Sequence, residues 1–337
     1  MIRAAIVGLG RWGRSLVNAV QDSTDIRFVV AHTRTRAKAE EFCQSKGVPL
    51  VDSFDAILAD PDVDAVVLAT PHSQHEDQIK RAAAAGKHIH VEKPITLDFP
   101  SAKSAVEATR RAGVMLAVGF CRRFHPSVGE VRQRLRDGRL GNLVGIVAQH
   151  TTSTSTFIPA ENWRADPDEA PAGAMTAVGL HSLDHMIEFA GRVREVQCIT
   201  ARHGDGRADD TTTLVLRFES GVTGTLFCSV ATATSYSLST YGTKGMAEIS
   251  GAALQRVRLV PLSVHAPVGP VTAPPDEFIE HPGFNMLKAE LLEFARCIRD
   301  KQPYPVDIEE VLHGMAVFDA AKQSAKSGGG IVAVSDR

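Results

Sequence analysis

The sequence has 337 residues, of which 44% are hydrophobic and 23% are charged, and its 37 lysines and arginines nearly balance 39 aspartates and glutamates. This composition excludes an extensively disordered chain, and the formal net charge of -2 excludes a global positive field that would hold nucleic acid or an anionic membrane. The length predicts two domains, and the expected partners are a small-molecule substrate and other subunits.

The first third of the chain alternates short apolar runs with helical patterns, which is typical of βαβ units and a parallel sheet. The first run, RAAIV, leads into GLGRWG, in which Gly8, Gly10 and Gly13 have the GxGxxG spacing around Arg11 and Trp12. The first glycine permits a tight turn, the second lets the backbone approach a pyrophosphate, and the third allows close helix packing. The motif therefore predicts a dinucleotide site at a helix N-terminus.

The second apolar run, IRFVVAH, is followed by Thr33 and Arg34, with Lys38 one turn further on. An NAD site usually has a carboxylate at this place, which accepts a hydrogen bond from the ribose 2′-hydroxyl. A hydroxyl and a guanidinium can instead hold a 2′-phosphate by charge-assisted hydrogen bonds. The loop therefore predicts NADP, with NAD possible. The alternative is that TRTRAK is only a solvated basic face.

Two later strand ends carry polar groups, in ATPH at residues 69–72 and in HIHVEKPIT at residues 88–96. In a parallel sheet the ligand lies outside the carboxyl ends of the strands. Pro94 disfavours a helical conformation at Lys93 and so fixes the lysine backbone at the strand exit. Lys93 is thereby predicted to reach a reacting oxygen beside a nicotinamide, and the alternative is a surface lysine that ends a strand.

The pattern changes near residue 122, where we place the domain boundary. The later stretch DTTTLVLRFESGVTGTLFCS has period-two alternation around Ser220 and Gly221, as antiparallel hairpins do. PVGPVTAPPDEF predicts a surface loop. The helical patterns NMLKAELLEFARCIRD and 308–325 are assigned to the second domain, residues 123–337.

Other chemistries are less well supported by the residues. His181 and His185 are four positions apart, but a metalloprotease glutamate and a third ligand are missing, so we expect no metal. His88 and His90 lie on one face of a strand and are interpreted as structural. The arginines of EVRQRLRDGRLG are interpreted as the solvated face of an amphipathic helix.

The five cysteines form an odd set without CxxC spacing, which predicts free thiols in a reducing compartment. The N-terminal apolar run is too short for a signal sequence or a membrane span. We therefore expect a cytoplasmic protein.

Six segments in this order resemble the Gfo/Idh/MocA oxidoreductase family over nearly the whole chain: GLGRWG, ATPHSQH, VEKPIT, GFCRRFHP, ENWRADP and GAMTAVGLHSLDH. The resemblance implies an α/β protein with an N-terminal Rossmann dinucleotide-binding domain, residues 1–122. It also implies a C-terminal α/β domain with an open, mainly antiparallel sheet, and a homodimer or homotetramer. The implied reaction is hydride transfer between nicotinamide and a hydroxyl or carbonyl carbon of a sugar, cyclitol or related compound.

The resemblance also assigns roles to individual residues. Lys93 becomes the general acid or base, and His181 joins it as a catalytic residue near the substrate. The substrate-facing residues are Arg122, Arg123 and Asp184, although one of the two arginines is expected to pack at the domain boundary. The residues implied to line the cofactor cleft are Thr70, Pro71, His72, His75, Glu92, Trp163 and Arg164.

One position departs from the family pattern, which usually reads D-x-G-x-H on the substrate-side helix. This sequence keeps Gly179 and His181 but has Ala177 in place of the aspartate. On that helix, Ala177, His181 and Asp184 are expected to share one face. A missing carboxylate there predicts a less hydroxylated or more apolar carbonyl substrate.

Three functions remain open at the level of sequence. The favoured one is an NADP-dependent dehydrogenase or reductase. The second is a glycosidase of the same family, in which bound NAD is reduced and reoxidised in each turnover; Thr33 and Arg34 argue against it. The third is a regulatory protein that binds NADP without turnover, which Ala177 allows and which Lys93 and His181 argue against.

Overall fold

The computed structural model describes residues 1–157, 159, 161–263 and 274–336. The chain divides into two compact units, the first made of Met1–Cys121 and Asn285–Leu312 and the second of Arg122–Phe284 and the segment from His313 onward. The first break falls one residue before the predicted boundary. Within the described ranges, no helix has the length and apolar character needed to cross a membrane. Of the predicted proline-rich loop, residues 267–278, the part 267–273 lies outside the described residues. Its last two residues, Glu277 and Phe278, belong to a strand and not to a loop.

The described strands, in chain order, are β1 Ile2–Val7, β2 Ile26–His32, β3 Ala65–Leu68, β4 His88–Glu92, β5 Leu116–Gly119, β6 Leu143–Thr151, β7 Val193–Ala201, β8 Thr211–Phe218, β9 Thr223–Ser229, β10 Ser235–Gly242, β11 Gly245–Ser250, β12 Arg256–Pro261, β13 Glu277–Glu280 and β14 Val332–Ala333. The described helices are α1 Arg11–Val20, α2 Glu40–Lys46, α3 Phe54–Ala59, α4 His75–Ala84, α5 Phe99–Ala112, α6 Pro126–Arg136, α7 Gly179–Ala190, α8 Met286–Asp300 and α9 Ile308–Lys326.

The first unit is built on a parallel sheet, with the strand order β2-β1-β3-β4-β5 among its described residues. Its central strands are buried on both faces, as the four buried residues of β3 show. Such strands need continuous apolar runs, and that is why AVVL and its neighbours lack alternation. The predicted Rossmann-type sheet is confirmed.

Helix α8 belongs to this first unit, and we had expected it in the second domain. Its Leu291, Phe294 and Ala295 are fully buried in one core with Leu16 and Val17 of α1. The spacing of the three apolar residues makes a stripe along one side of α8. Burial of that stripe against α1 stabilises the packing of α8 in the first unit. A helix pattern predicts such a stripe but not its partner.

The second unit holds a sheet with the order β13-β12-β11-β10-β6-β9-β8-β7-β14 over the part that the structure describes. All its pairs are antiparallel except β6 with β9, so the mainly antiparallel sheet is confirmed. The predicted hairpin is β8–β9, and Gly221 in its turn has φ +87°, a conformation that favours glycine. One face carries buried residues such as Leu214 and Leu226, and α7 packs on β6 and β9.

The opposite face of this sheet exposes apolar side chains, which we call the outer face. Alternation along each strand produces it, because successive residues point to opposite sides. Its members are Val147, Ile199, Val215, Phe227 and Tyr241.

The arginines of α6 correct one expectation about a solvated face. Arg132 pairs with Glu188, whose side chain is 7% exposed, and Arg134 is itself 8% exposed and pairs with Glu130. Arg132 thus joins α6 to α7, whereas the buried Arg134 pairs within its own helix. A charge pattern alone does not show whether an opposite charge lies across from it.

Candidate active site

The glycine turn of the first unit leaves open space at the start of α1. Gly8 has φ +95°, and a Cβ there would lie 2.5 Å from the carbonyl oxygen of Ala69. A Cβ at Gly13 would lie 1.9 Å from the carbonyl oxygen of Gly8, whereas one at Gly10 would have no atom within 4 Å. Gly10 is the N-cap of α1 and offers no side chain to its N–H groups. This cradle fits a diphosphate, because its N–H groups and open space suit an anion.

The loop after β2 exposes the predicted NADP contacts. Thr33 is half-buried, and Arg34 and Lys38 are exposed. In this loop Arg36 forms ion pairs with Glu40 and Asp52, and its Nη1 lies 2.6 Å from Asp52. Arg36, which we did not predict, thus already has a carboxylate partner, while the described contacts give Arg34 none.

The exit of β3 is tied to the segment after Lys93 by His75. Its Nδ1 lies 2.9 Å from the carbonyl oxygen of Pro94, and its Nε2 lies 3.2 Å from that of Thr70. Thr70 Oγ1 donates to Gln78 over 2.6 Å. His75 has no exposed surface, so it connects these two segments and does not line the cleft as we had expected. The neighbouring His72, at 9% exposure, meets the His75 ring at 5.8 Å between centroids.

Lys93 stands at the exit of β4, half-buried and followed by a cis peptide bond to Pro94. Glu92, the last residue of β4, is buried against Gly119 of β5, where a Cβ would lie 3.0 Å from Glu92 Oε1. Burial, followed by repulsion from Glu290, raises the pKa of Glu92 to about 7, and His90, Trp12 and Lys93 act in the opposite direction. The carboxyl next to Lys93 therefore changes charge near neutral pH.

Glu290 is a site residue that sequence reasoning missed. It lies on α8 with 0% exposure, and its Oε2 is 3.4 Å from His90 Nε2. Burial lowers the pKa of His90 to about 4. A signal existed, since Glu290 directly precedes Leu291 on the apolar stripe of its helix, where a carboxylate is unusual.

In the second unit, two expected substrate contacts pair with each other. Arg123 Nε and Nη2 donate to the two carboxylate oxygens of Asp184 over 2.7 and 2.8 Å. Glu188 lies 3.4 Å from the same guanidinium, and the side chains of all three are nearly buried. Because this bidentate pair satisfies both partners, we correct their assignment from substrate contacts to positioning residues.

Arg122 has a different environment from that of Arg123. Its Nη2 lies 3.1 Å from His150 Nε2, and its guanidinium stands 4.7 Å from the Tyr236 ring centroid. His150 Nδ1 faces the carbonyl oxygen of Val178 at 3.1 Å, so Nδ1 carries the proton and Nε2 accepts from Arg122. Arg122 is thus held by a neutral imidazole and an aromatic face.

His181 lies on α7 with 6% exposure, and its ring centroid is 6.5 Å from that of His150. Ala177 is exposed in the turn before α7, which begins only at Gly179. The expectation that Ala177 shares a helical face with His181 is therefore wrong. The tight packing at Gly179, where a Cβ would lie 2.5 Å from Met175 Sδ, explains why the helix begins there with a glycine.

Trp163 and Arg164 lie in a short 3₁₀ turn in which the Arg164 N–H donates to Asn162 Oδ1. The Arg164 guanidinium stacks 4.1 Å from the Trp163 ring centroid, with Trp163 half-buried and Arg164 exposed. The pair forms a local platform in the second unit. Over the described ranges, no three His, Cys, Asp or Glu side chains are grouped to hold a metal.

Comparison with known proteins settles the family. A model described as an oxidoreductase family with an NAD-binding Rossmann fold matches residues 2–120, and a Gfo/Idh/MocA C-terminal domain model matches residues 128–248. The chain belongs to the Gfo/Idh/MocA oxidoreductase family. As a member, it is an oxidoreductase with an NAD-binding Rossmann fold.

Individual members of the family are similar to this chain at low identity. Trans-1,2-dihydrobenzene-1,2-diol dehydrogenase of Bos taurus is 28% identical over 74% of each chain. The scyllo-inositol 2-dehydrogenase (NAD(+)) of Bacillus subtilis is 28% identical over 97% of this chain and 95% of its own. A levoglucosan dehydrogenase in complex with NADH and levoglucosan has the same fold, with a TM-score of 0.87, 19% identity and full coverage of both chains.

Proposed function

We propose that this oxidoreductase transfers a hydride between NADP and a carbinol or carbonyl carbon of a sugar, cyclitol or related small compound, with Lys93 as general acid and base. The observation that carries the proposal lies within the first unit. The open cradle at Gly10 and the side chain of Lys93 both follow the carboxyl ends of strands in one parallel sheet. Ligands of such sheets bind at that edge.

The nicotinamide supplies the hydride acceptor or donor when it is bound. The protein has to move the proton, and Lys93 Nζ accepts it from the hydroxyl during oxidation and returns it to the carbonyl oxygen during reduction. His75 supports this arrangement by linking the backbone after Lys93 to the exit of β3. We assign His181 to substrate orientation, and Arg122 to a substrate contact.

The preference for NADP rests on the loop after β2. Thr33, Arg34 and Lys38 stand where an NAD site would hold a carboxylate, and Arg36 pairs with the carboxylates of Asp52 and Glu40. A 2′-phosphate bound at this loop would pair with the cationic side chains of Arg34 and Lys38, which have no ion-pair partner among the described contacts. Two of the similar proteins are named with NAD(+) or NADH, so a direct comparison of the cofactors is the decisive measurement.

The substrate class follows from what is missing before α7. Ala177, in the turn before α7, stands where the family pattern has an aspartate, so on that pattern this chain lacks one acceptor for a polyol hydroxyl. This favours a substrate with fewer hydroxyls, and the similar bovine enzyme is named for a dihydrodiol. We therefore rank dihydrodiols and small ketones ahead of inositols.

Self-association is also part of the proposed function. The outer face of the second unit presents Val147, Ile199, Val215, Phe227 and Tyr241 to solvent, each at least 40% exposed. An apolar patch on a broad sheet is typical of a protein interface. We propose that a second copy covers it in a homodimer or homotetramer.

The experiment that tests the enzyme is an absorbance screen for NADP reduction and NADPH oxidation against dihydrodiols, sugars, cyclitols and small ketones. Turnover that Lys93→Met abolishes supports the proposal. Lys80→Met is the matched control, since Lys80 is partly exposed on α4 and pairs with Glu76. Tight NADPH binding without turnover of any compound would instead favour a regulatory protein.

A further inference from the structure

Strand β4 of the first unit carries two buried ionisable side chains shortly before Lys93. His90 and Glu92 alternate along β4 and so point to the same side, where Val67 and Ala117 belong to an apolar core. His90 is 0% exposed and Glu92 is 8% exposed. Ionisable groups in such a place carry a large desolvation penalty, so they need an account beyond packing.

Helix α8 adds a third ionisable group to this face. Glu290 is fully buried, and its Oε2 lies 3.4 Å from His90 Nε2. The ring of Phe294, one turn later, meets the His90 ring edge to face at 5.7 Å and shields it from water. Helix α8, which is distant from β4 in the sequence, thus places a carboxylate next to the end of β4.

We propose that Glu290 is a positioning residue that acts through Glu92: its buried carboxylate opposes ionisation of the Glu92 carboxyl and thereby sets the pH range in which Lys93 exchanges its proton. This inference rests on the proposed role of Lys93. Glu290 is assigned no contact with the substrate or the cofactor. Its effect on the proton exchange of Lys93 is transmitted by the charge of Glu92.

The physical basis is that two carboxylates in a dry interior cannot both ionise at low cost. The pKa of Glu92 is raised to about 7 by burial and then by Glu290, while His90, whose pKa burial lowers to about 4, stays neutral and does not compensate. A neutral Glu92 does not stabilise the ammonium form of Lys93. An ionised Glu92 would stabilise it, raise the pKa of Lys93 and delay the loss of its proton to higher pH.

The surroundings of the pair contain few other titratable groups. The titratable groups that act on Glu92, besides Glu290, are His90 and Lys93 from β4 and its exit, and Tyr304 after α8 interacts with Glu290. Cys121, Cys297 and Glu293 act on Tyr304 in turn. Burial raises the pKa of Tyr304 and that of Cys297, so these two stay neutral across the range of interest.

The first experiment measures Glu92 in the protein without cofactor or substrate. The sequence has two tryptophans, so Trp163→Phe leaves Trp12, which interacts with the Glu92 carboxyl, as the sole tryptophan, and excitation at its red edge avoids the three tyrosines. A carboxylic acid quenches an indole more strongly than a carboxylate does, and Trp12 fluorescence should therefore rise with pH through a midpoint near that of Glu92. In this background Glu290→Gln should lower the midpoint by roughly one unit or more.

Three variants make this titration decisive. Glu92→Gln should remove the transition, and Glu293→Gln should leave it in place, because Glu293 is on the same helix but pairs with Arg296 over 2.6 Å. Glu290→Asp draws the carboxylate back by one methylene and should lower the midpoint less than Glu290→Gln. It also provides the test if Glu290→Gln does not fold. A transition that survives Glu92→Gln, or a midpoint that Glu290 variants do not move, overturns the proposal.

The second experiment measures kcat/KM for substrate oxidation across pH. In the pH profile of kcat/KM, Glu290→Gln should shift the limb that reports deprotonation of Lys93 to higher pH by roughly half a unit or more. Glu293→Gln should leave that limb unchanged. An unshifted limb in an active Glu290→Gln enzyme overturns the link to Lys93. If Lys93→Met proves active, the proposed function fails on that result, while the fluorescence titration still decides whether Glu290 controls Glu92.

Discussion

Arg123 donates two hydrogen bonds, of 2.7 and 2.8 Å, to the two carboxylate oxygens of Asp184, and both side chains are nearly removed from solvent. The pair joins the segment after β5 to α7, the helix that carries His181. Removal of one partner leaves an uncompensated buried charge, which costs more than the loss of the contact itself.

We therefore expect Arg123→Met to reduce the free energy of unfolding by about 3–5 kcal/mol, and Arg123→Met with Asp184→Leu to recover much of that loss. Arg139→Met is the control, because Arg139 pairs with Asp137 at the surface, where an ion pair contributes little to stability, so the free energy of unfolding should change far less. Denaturant unfolding of the four proteins measures both values. A stable Arg123→Met protein that has lost only substrate affinity would restore the original assignment of Arg123 to the substrate.

Two glycines of the same motif should respond differently to alanine. A Cβ at Gly13 would lie 1.9 Å from the Gly8 carbonyl oxygen, so Gly13→Ala should disrupt the turn and lower the melting temperature. A Cβ at Gly10 meets no atom within 4 Å, so Gly10→Ala should keep the fold and weaken cofactor binding by filling the cradle. Thermal unfolding and calorimetric titration separate the effects, and unchanged cofactor affinity in Gly10→Ala would argue against a diphosphate at this turn.

Cofactor choice is predicted to depend on Arg34. Loss of a charge-assisted contact to the 2′-phosphate should cost roughly 1.5–3 kcal/mol, so Arg34→Ala should weaken NADP binding about tenfold or more and barely change NAD binding. Arg36→Ala provides the matched control, since Arg36 is paired with Asp52 and should affect NADP less. Calorimetry with both cofactors decides the matter. Tighter binding of NAD than of NADP by the unaltered protein would show that this loop has been misinterpreted.

Lys93→Met should separate binding from chemistry. The cradle at Gly10 is made of backbone, so NADPH affinity should persist while kcat falls by about 10²–10⁴-fold or more. His181→Ala should have a smaller effect if His181 only orients the substrate, and a comparable one if it shares the proton transfer. Steady-state rates across pH, with NADPH binding measured separately, give the answer. Near-normal turnover by Lys93→Met would refute the mechanism.

The outer face predicts the behaviour of the protein in solution. Light scattering should give a mass of at least twice 36.2 kDa. Phe227→Asp, placed on the exposed side of β9, should reduce that mass without unfolding the sheet, because residue 227 is not part of the core. Thr225→Asp, on the same side of β9 but with a small polar residue replaced, is the milder control. A monomeric unaltered protein at micromolar concentration would contradict the prediction.

Local patterns in the sequence were sufficient for much of the architecture. Continuous apolar runs predicted the parallel strands, alternation predicted the β8–β9 hairpin, and the glycine spacing predicted the turn before α1. These features depend on residues within about ten positions of one another, because periodicity and turn geometry are properties of short segments. The position of Lys93 at a strand exit followed for the same reason.

The tertiary structure alone decided which distant groups meet. Glu290 reaches His90, α8 joins the first unit, Arg123 pairs with Asp184, and His75 bridges two carbonyl oxygens. An apolar stripe or a charge has the same local pattern whichever partner it finds, and the partner is selected by burial over the whole unit. The sequence therefore determined that Glu92 and Lys93 stand side by side at the end of β4, and only the folded chain determined the buried carboxylate that raises the pKa of Glu92.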